Sequence, residues 1–283
     1  MALKNGSSIA LLWSAFAFIA SAFLARAFAS EAEGALASPL HVEAPATLPP
    51  WVKSQWEKDI PVFVTSYRTL FRTPLAQDIS ITTDYKPGGY ADMSLAAFAW
   101  PSGISITLTG GGWQRKSQTG QGALEQNLAH ELAHLWQLAL YDDPTEPTWV
   151  HEGFAEALAL TALAHSQIWG TDEIKAWRRA AEKRCGKAMA QGRLSHIFQT
   201  QNDDAAYGCG FVLIDMMAEM SDQTPVALYK SYVEARRRHL SLEKIWEEIL
   251  GPLHAGQIER FVSNDYSRAR GEVIIRNLRA GRL

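Results

Sequence analysis

Two histidines four residues apart, with a glutamate beside the first, stand in Ala129-His-Glu-Leu-Ala-His134. On a helix, positions i and i+4 share a face, so both imidazoles can hold one metal ion while Glu131 handles a water beside them. A polar helix face carrying two satisfied histidines is the alternative. The flanking residues weaken it: Leu128, Ala129, Leu132, Ala133, Leu135 and Trp136 make the segment apolar around the motif. Three ionisable groups in such a setting are costly to bury without a shared partner.

A catalytic zinc takes three protein ligands and keeps a position open, so a third ligand is expected. Gln137 and Leu140 stand where the metzincin pattern needs glycine and a third histidine, which excludes that arrangement. Downstream, the turn Asp142-Asp-Pro-Thr-Glu-Pro147 leads into Trp149-Val-His-Glu-Gly-Phe-Ala-Glu156. A helix hairpin would fold this segment back against the first helix, bringing Glu152 or His151 to the metal. The two lie about 100° apart around a helix, so both can hardly serve one ion. Glu156, one turn beyond Glu152, is placed to accept a hydrogen bond from the outer nitrogen of a ligand histidine and fix its tautomer.

His130-Glu-Leu-Ala-His-Leu-Trp136 followed by Trp149-Val-His-Glu-Gly-Phe-Ala155 resembles the gluzincin zinc metallopeptidases, within them the aminopeptidase-N-like and peptidase-MA-like families. The resemblance implies one zinc ion held by His130, His134 and Glu152, with Glu131 as general base. Seventeen residues separate His134 from Glu152, about one fewer than is usual in the aminopeptidases. Ala206-Tyr-Gly-Cys-Gly-Phe-Val-Leu213 is similar to the segment in which those enzymes carry an oxyanion-stabilising tyrosine, which implies that role for Tyr207; a helix-capping aromatic is the other reading. The likeness covers residues 125–215. No Gly-x-Met-Glu-Asn segment precedes the motif, so the resemblance implies a peptidase but not aminopeptidase specificity. In its place Ile104 to Thr109, followed by Gly110-Gly-Gly112, reads either as an edge strand along which a peptide or protein substrate would pair or as an ordinary hairpin strand with a flexible exit.

These residues need elements to position them. Ile79–Asp84 is β-branched and partly alternating, as is Pro61–Thr65; Ala96–Trp100 and Ile104–Thr109 flank a Pro101-Ser-Gly103 turn and predict a hairpin. From Gly112 the pattern predicts helices at about 120–140, 149–165, 171–190, 204–220, 224–238, 241–250 and 255–269, with Thr171, Thr224 and Ser241 as N-caps. The class is α+β: a small N-terminal sheet with an edge strand, then a mainly helical zincin body. Residues 1–29 read as a signal peptide, 30–50 as a Pro/Ala-rich linker, and 51–283 as one metallopeptidase domain, β-rich over 51–115 and helical over 116–283.

Lys4, the uncharged run Ile9–Ala25 and Ala27-Phe-Ala29 fit a cleaved secretory signal, with an uncleaved membrane tether as the alternative. Export to the periplasm or medium is expected, with no membrane insertion afterwards. Without residues 1–29 the net charge is −5, from 25 basic and 30 acidic residues, which argues against a nucleic-acid partner. Cys185 and Cys209 are the only cysteines. In an oxidising compartment they are expected to bridge, pinning the Tyr207 segment to the 171–190 helix. Arg178-Arg179, Arg236–His239 and the Arg268–Arg282 tail read as solvated helix faces. The function expected is an exported zinc peptidase. The alternatives are a zinc hydrolase acting on a non-peptide amide of the cell wall and a non-catalytic zinc-containing binding module.

Overall fold

The computed structural model describes residues 40–75, 78–89, 92–200 and 202–282. The signal expected at 1–29 and the first part of the expected linker lie outside them. The chain runs β1 (Leu40–Glu43), α1 (Pro50–Phe71), β2 (Ile79–Lys86), β3 (Ser94–Trp100) and β4 (Gly103–Thr109), with a short 3₁₀ turn at Gly111–Gln114. Helices follow: α2 (Gln118–Leu140), α3 (Thr148–His165), α4 (Thr171–Met189), α5 (Leu194–Ile197), a π-helical segment Asp204–Cys209, α6 (Gly210–Met220), α7 (Pro225–Arg237), α8 (Leu242–Ser263) and α9 (Gly271–Arg279). The class is α+β, a small four-stranded sheet ahead of a helical body. Among the described residues no helix is long and apolar enough to cross a membrane.

The sheet order is β1-β2-β4-β3; β2 pairs in parallel with β1 and β4, and β3 is antiparallel to β4. Alternation along the strands buries Ile79, Ile81 and Tyr85 of β2 and Ile104, Ile106 and Leu108 of β4. α2 packs against β3 and β4. The hairpin between Ala96 and Thr109 forms, but Ile104–Thr109 is not an edge. It is an interior strand, its backbone bonded to β2 on one side and β3 on the other. A peptide therefore cannot add along 104–109; the terminal strand on that side is β3.

Two further expectations are corrected. Pro61–Thr65 is helical, inside α1. Val52, Trp56, Ile60, Phe63, Val64, Tyr67 and Phe71 recur at three- and four-residue spacing and are buried, so a 22-residue amphipathic helix removes far more apolar surface than a five-residue strand could. Pro61 sits on the exposed side, where a missing N–H is tolerated. Within 30–50, Leu40–Glu43 is a strand rather than linker. Thr224 and Ser241 cap α7 and α8, accepting from the amides of Ala227 and Lys244, whereas Gly170 rather than Thr171 takes the cap position of α4. α8 is two helical stretches bent at Gly251 (φ 75°, ψ 162°) and ends at Ser263, short of 269. α9 falls within the Arg268–Arg282 tail, beyond the last helix expected at 255–269.

The arginine clusters are only partly solvated. Arg178 and Arg279 both bond the buried carboxylate of Asp215 at 2.9 and 3.0 Å, and Arg236 pairs with Asp143.

Candidate metal centre

α1 fixes α2 where the motif lies. The Tyr67 hydroxyl donates to the carbonyl of Ala129 at 2.7 Å, its ring stacks on Trp136 at 5.1 Å, and Trp136 Nε1 donates to the Thr73 carbonyl at 3.0 Å. From Leu128 to Gln137 every residue of α2 is buried, so the histidines cannot turn to solvent. α3 runs antiparallel to α2: Gln137 meets His151 near the loop, and Gln126 meets Glu156 farther along.

This hairpin brings His130, His134 and Glu152 to one point. His130 Nε2 lies 3.1 Å from Glu152 Oε2 and 3.0 Å from His134 Nε2, and His134 Nε2 is 3.4 Å from the same oxygen. A tetrahedral ion with bonds of about 2.0–2.1 Å spaces its ligands by about 3.3 Å, so the three atoms fit the corners of such a site. The donor set fits as well. Two imidazole nitrogens and a carboxylate oxygen crowd together in a buried setting, and with their protons lost they are a donor set that one shared cation would satisfy.

Electrostatics reflect the crowding. Burial opposes charging His130, yet the Glu152 hydrogen bond and the carboxylates of Glu156, Glu152 and Glu131 raise its pKa to about 9. His134 is pushed down to about 4 by burial and by its charged neighbour His130, only partly offset by Glu152. Burial would raise Glu152, but the two histidines against its carboxylate, His130 first, hold it well below the usual carboxylate range. Glu131, 6% exposed, is raised to about 7 chiefly by burial, and it feels both Glu152 and His151.

His151 is not part of the ligand group. Its ring lies flat on His134, centroids 4.4 Å apart at 16°, and its Nδ1 engages Glu146 at 3.0 Å. Glu156 lies on the outer side of His130, but its Oε1 is 3.9 Å from Nδ1, too far for a hydrogen bond. It accepts from Gln126 Nε2 at 3.3 Å instead, and burial raises its pKa.

Gln137 was missed as a functional residue. Its Nε2 donates to the His151 carbonyl at 3.0 Å, which turns Oε1 toward His134 Nδ1 at 2.7 Å. Nδ1 therefore carries the hydrogen, and Nε2 keeps its lone pair for the cluster. Its signal was available: Gln137 lies three residues after His134, on the same helix face.

Tyr207 stands over the cluster from the π segment. Its ring is 5.5 Å from that of His130, near enough for its hydroxyl to feel the carboxylates of Glu152 and Glu131. Burial first, then the Glu152 and Glu131 carboxylates, push its ionisation up, so the hydroxyl stays a donor. Two features hold the segment. A Cβ on Gly153 would come within 2.5 Å of the Gly210 backbone, and one on Gly210 within 2.4 Å of the Trp149 carbonyl, so α3 and α6 cross backbone to backbone. Cys185 and Cys209 form a disulfide that ties the same, C-terminal end of the segment to α4. The π turn itself is a local irregularity of a kind that recurs at functional sites.

No protein-family model matches this sequence, and neither does any curated protein. Among solved structures, the chain is similar to an aminopeptidase N family protein from Idiomarina loihiensis, with a TM-score of 0.49 and 14% identity over 81% of this chain. The match spans 40% of that protein's length. A likeness this distant assigns no role to any residue; the geometry of the cluster stands on its own.

Proposed function

We propose that the protein is an exported zinc-dependent peptidase. The observation that carries this reading is the convergence of His130 Nε2, His134 Nε2 and Glu152 Oε2, with Glu131 and Tyr207 turned to the same cluster. Zinc bound there would polarise a scissile carbonyl and acidify a water. A structural zinc site closes all four positions with protein atoms, whereas three ligand residues are found here among the described residues.

The remaining steps fall to the side chains. Glu131, next to His130 in a water-poor setting, takes a proton from the attacking water as the C–O bond forms. It returns that proton to the nitrogen as the C–N bond breaks, so the amine leaves neutral. The Tyr207 hydroxyl donates a hydrogen bond to the carbonyl oxygen as negative charge builds on it. Gln137 holds His134 in the tautomer that directs a lone pair inward. Export is supported by the N-terminal sequence and by the Cys185–Cys209 bridge, which persists in oxidising compartments.

The test is Glu131→Gln in the zinc-loaded protein, assayed on a mixture of unstructured peptides. Zinc content should stay near one per chain while kcat falls by about 10²–10⁴. Unchanged cleavage by this variant would overturn the mechanism.

A further inference from the structure

Beside Tyr207 a cavity of about 320 Å³ opens between the start of α3 and the segment leading into the π turn. Its apolar side is Trp149 and Phe198, stacked at 5.2 Å and 18°. Its polar groups are mostly engaged within the chain. The Thr200 hydroxyl donates to the Ile197 carbonyl at 2.7 Å; the Asn202 amide donates to Gln191 at 3.0 Å, and its oxygen caps the Ala205 amide. Asp203 is the charged residue of the lining, four positions before Tyr207 and close enough for its carboxylate to act on the tyrosine hydroxyl. No cation lines the cavity.

The same sign of charge continues outward. Trp149 also walls a groove of about 470 Å³ formed at the bend of α8, with Trp246 and Ile258 as further apolar walls. The charged residues lining that groove are Glu243, Glu247 and Glu259. An aromatic wall beside one carboxylate suits a flat, weakly hydrated cation, which lies against the rings and donates a charge-assisted hydrogen bond to the carboxylate at once.

We infer that the cavity beside Tyr207 is a specificity subsite taking the cationic side chain, arginine first, of a substrate residue next to the scissile bond. Asp203 and the Trp149–Phe198 pair select it. The inference rests on the peptidase reading for its place in the reaction, but the binding it describes does not require catalysis.

The experiment has two arms on the zinc-loaded protein. In the first, kcat/KM is measured for peptides differing only by arginine or norleucine at each position around the cleaved bond. At one position arginine should be favoured about tenfold, and Asp203→Asn should reduce that ratio about five- to tenfold. Asp203→Lys should turn the preference toward glutamate. A ratio that Asp203→Asn leaves intact, or the absence of any arginine preference, overturns the inference. In the second arm, calorimetry follows argininamide and norleucinamide. Argininamide should bind more tightly, and Asp203→Asn should remove the difference. If no peptide is cleaved but this difference is present and depends on Asp203, the subsite stands and the peptidase reading falls. If argininamide and norleucinamide bind alike, the subsite is overturned whatever the cleavage arm shows.

Discussion

Two of the buried charge clusters among the described residues are built on opposite plans. Asp215 on α6 is 3% exposed and meets the guanidinium groups of Arg178 and Arg279, which also reach Glu219 and Glu182. Opposite charges face each other there, and the cluster closes on itself, joining α4, α6 and α9. At the α2–α3 hairpin, two imidazole nitrogens and a carboxylate oxygen converge on one point, within 3.4 Å of one another. The first arrangement is complete with protein atoms. The second could hold a metal ion. Burial alone therefore does not separate the two; the convergence of three ligand atoms on one point does.

That contrast can be broken by substitution. The largest effect is expected at Tyr207→Phe, which keeps the ring and removes the hydroxyl. Turnover should fall by about 10²–10³ with KM and melting temperature little changed, because the bond matters mainly as charge develops. Near-normal kcat would remove Tyr207 from the site and leave it as a packing residue of the π segment.

Asp215→Asn should do the reverse. Chemical denaturation should show a loss of about 2–3 kcal/mol, below the full cost of breaking a buried pair because Arg178 is 42% exposed. Zinc content and kcat per folded molecule should stay as they were. A loss of metal in this variant would mean that the two clusters are not independent.

The smallest effect sharpens the comparison most. Gln137→Leu keeps the volume of a buried side chain but frees the His134 tautomer. Zinc affinity, measured by competition with a chelator, should weaken by about 10–100-fold. If affinity holds and only stability drops, Gln137 is a tie between α2 and α3 and nothing more.

Much of this was legible in the sequence, for identifiable reasons. The motif helix and its partner are local patterns, and a short turn forces them into an antiparallel pair, so the meeting of His130, His134 and Glu152 followed from spacing with the resemblance added. Pro61–Thr65 misled because β-branching was weighed over five residues, while the 3.6-residue stripe from Val52 to Phe71 decides over 22. The place of Ile104–Thr109 inside the sheet was hidden because its parallel partner β2 lies beyond the hairpin, a pairing that no local pattern records. The closeness of Gly153 to Gly210 is a contact between distant segments, and the glycines alone do not announce it. Asp203 drew no notice because its meaning depends on the cavity around it.

The central claim is that His130, His134 and Glu152 together hold one catalytic cation. Native mass spectrometry of the purified protein, titrated with zinc beside His134→Ala, tests it most directly. One zinc per chain is predicted for the wild type, with the bound fraction lost in His134→Ala while the variant remains folded. Zinc bound equally by both proteins, or by neither, would contradict it.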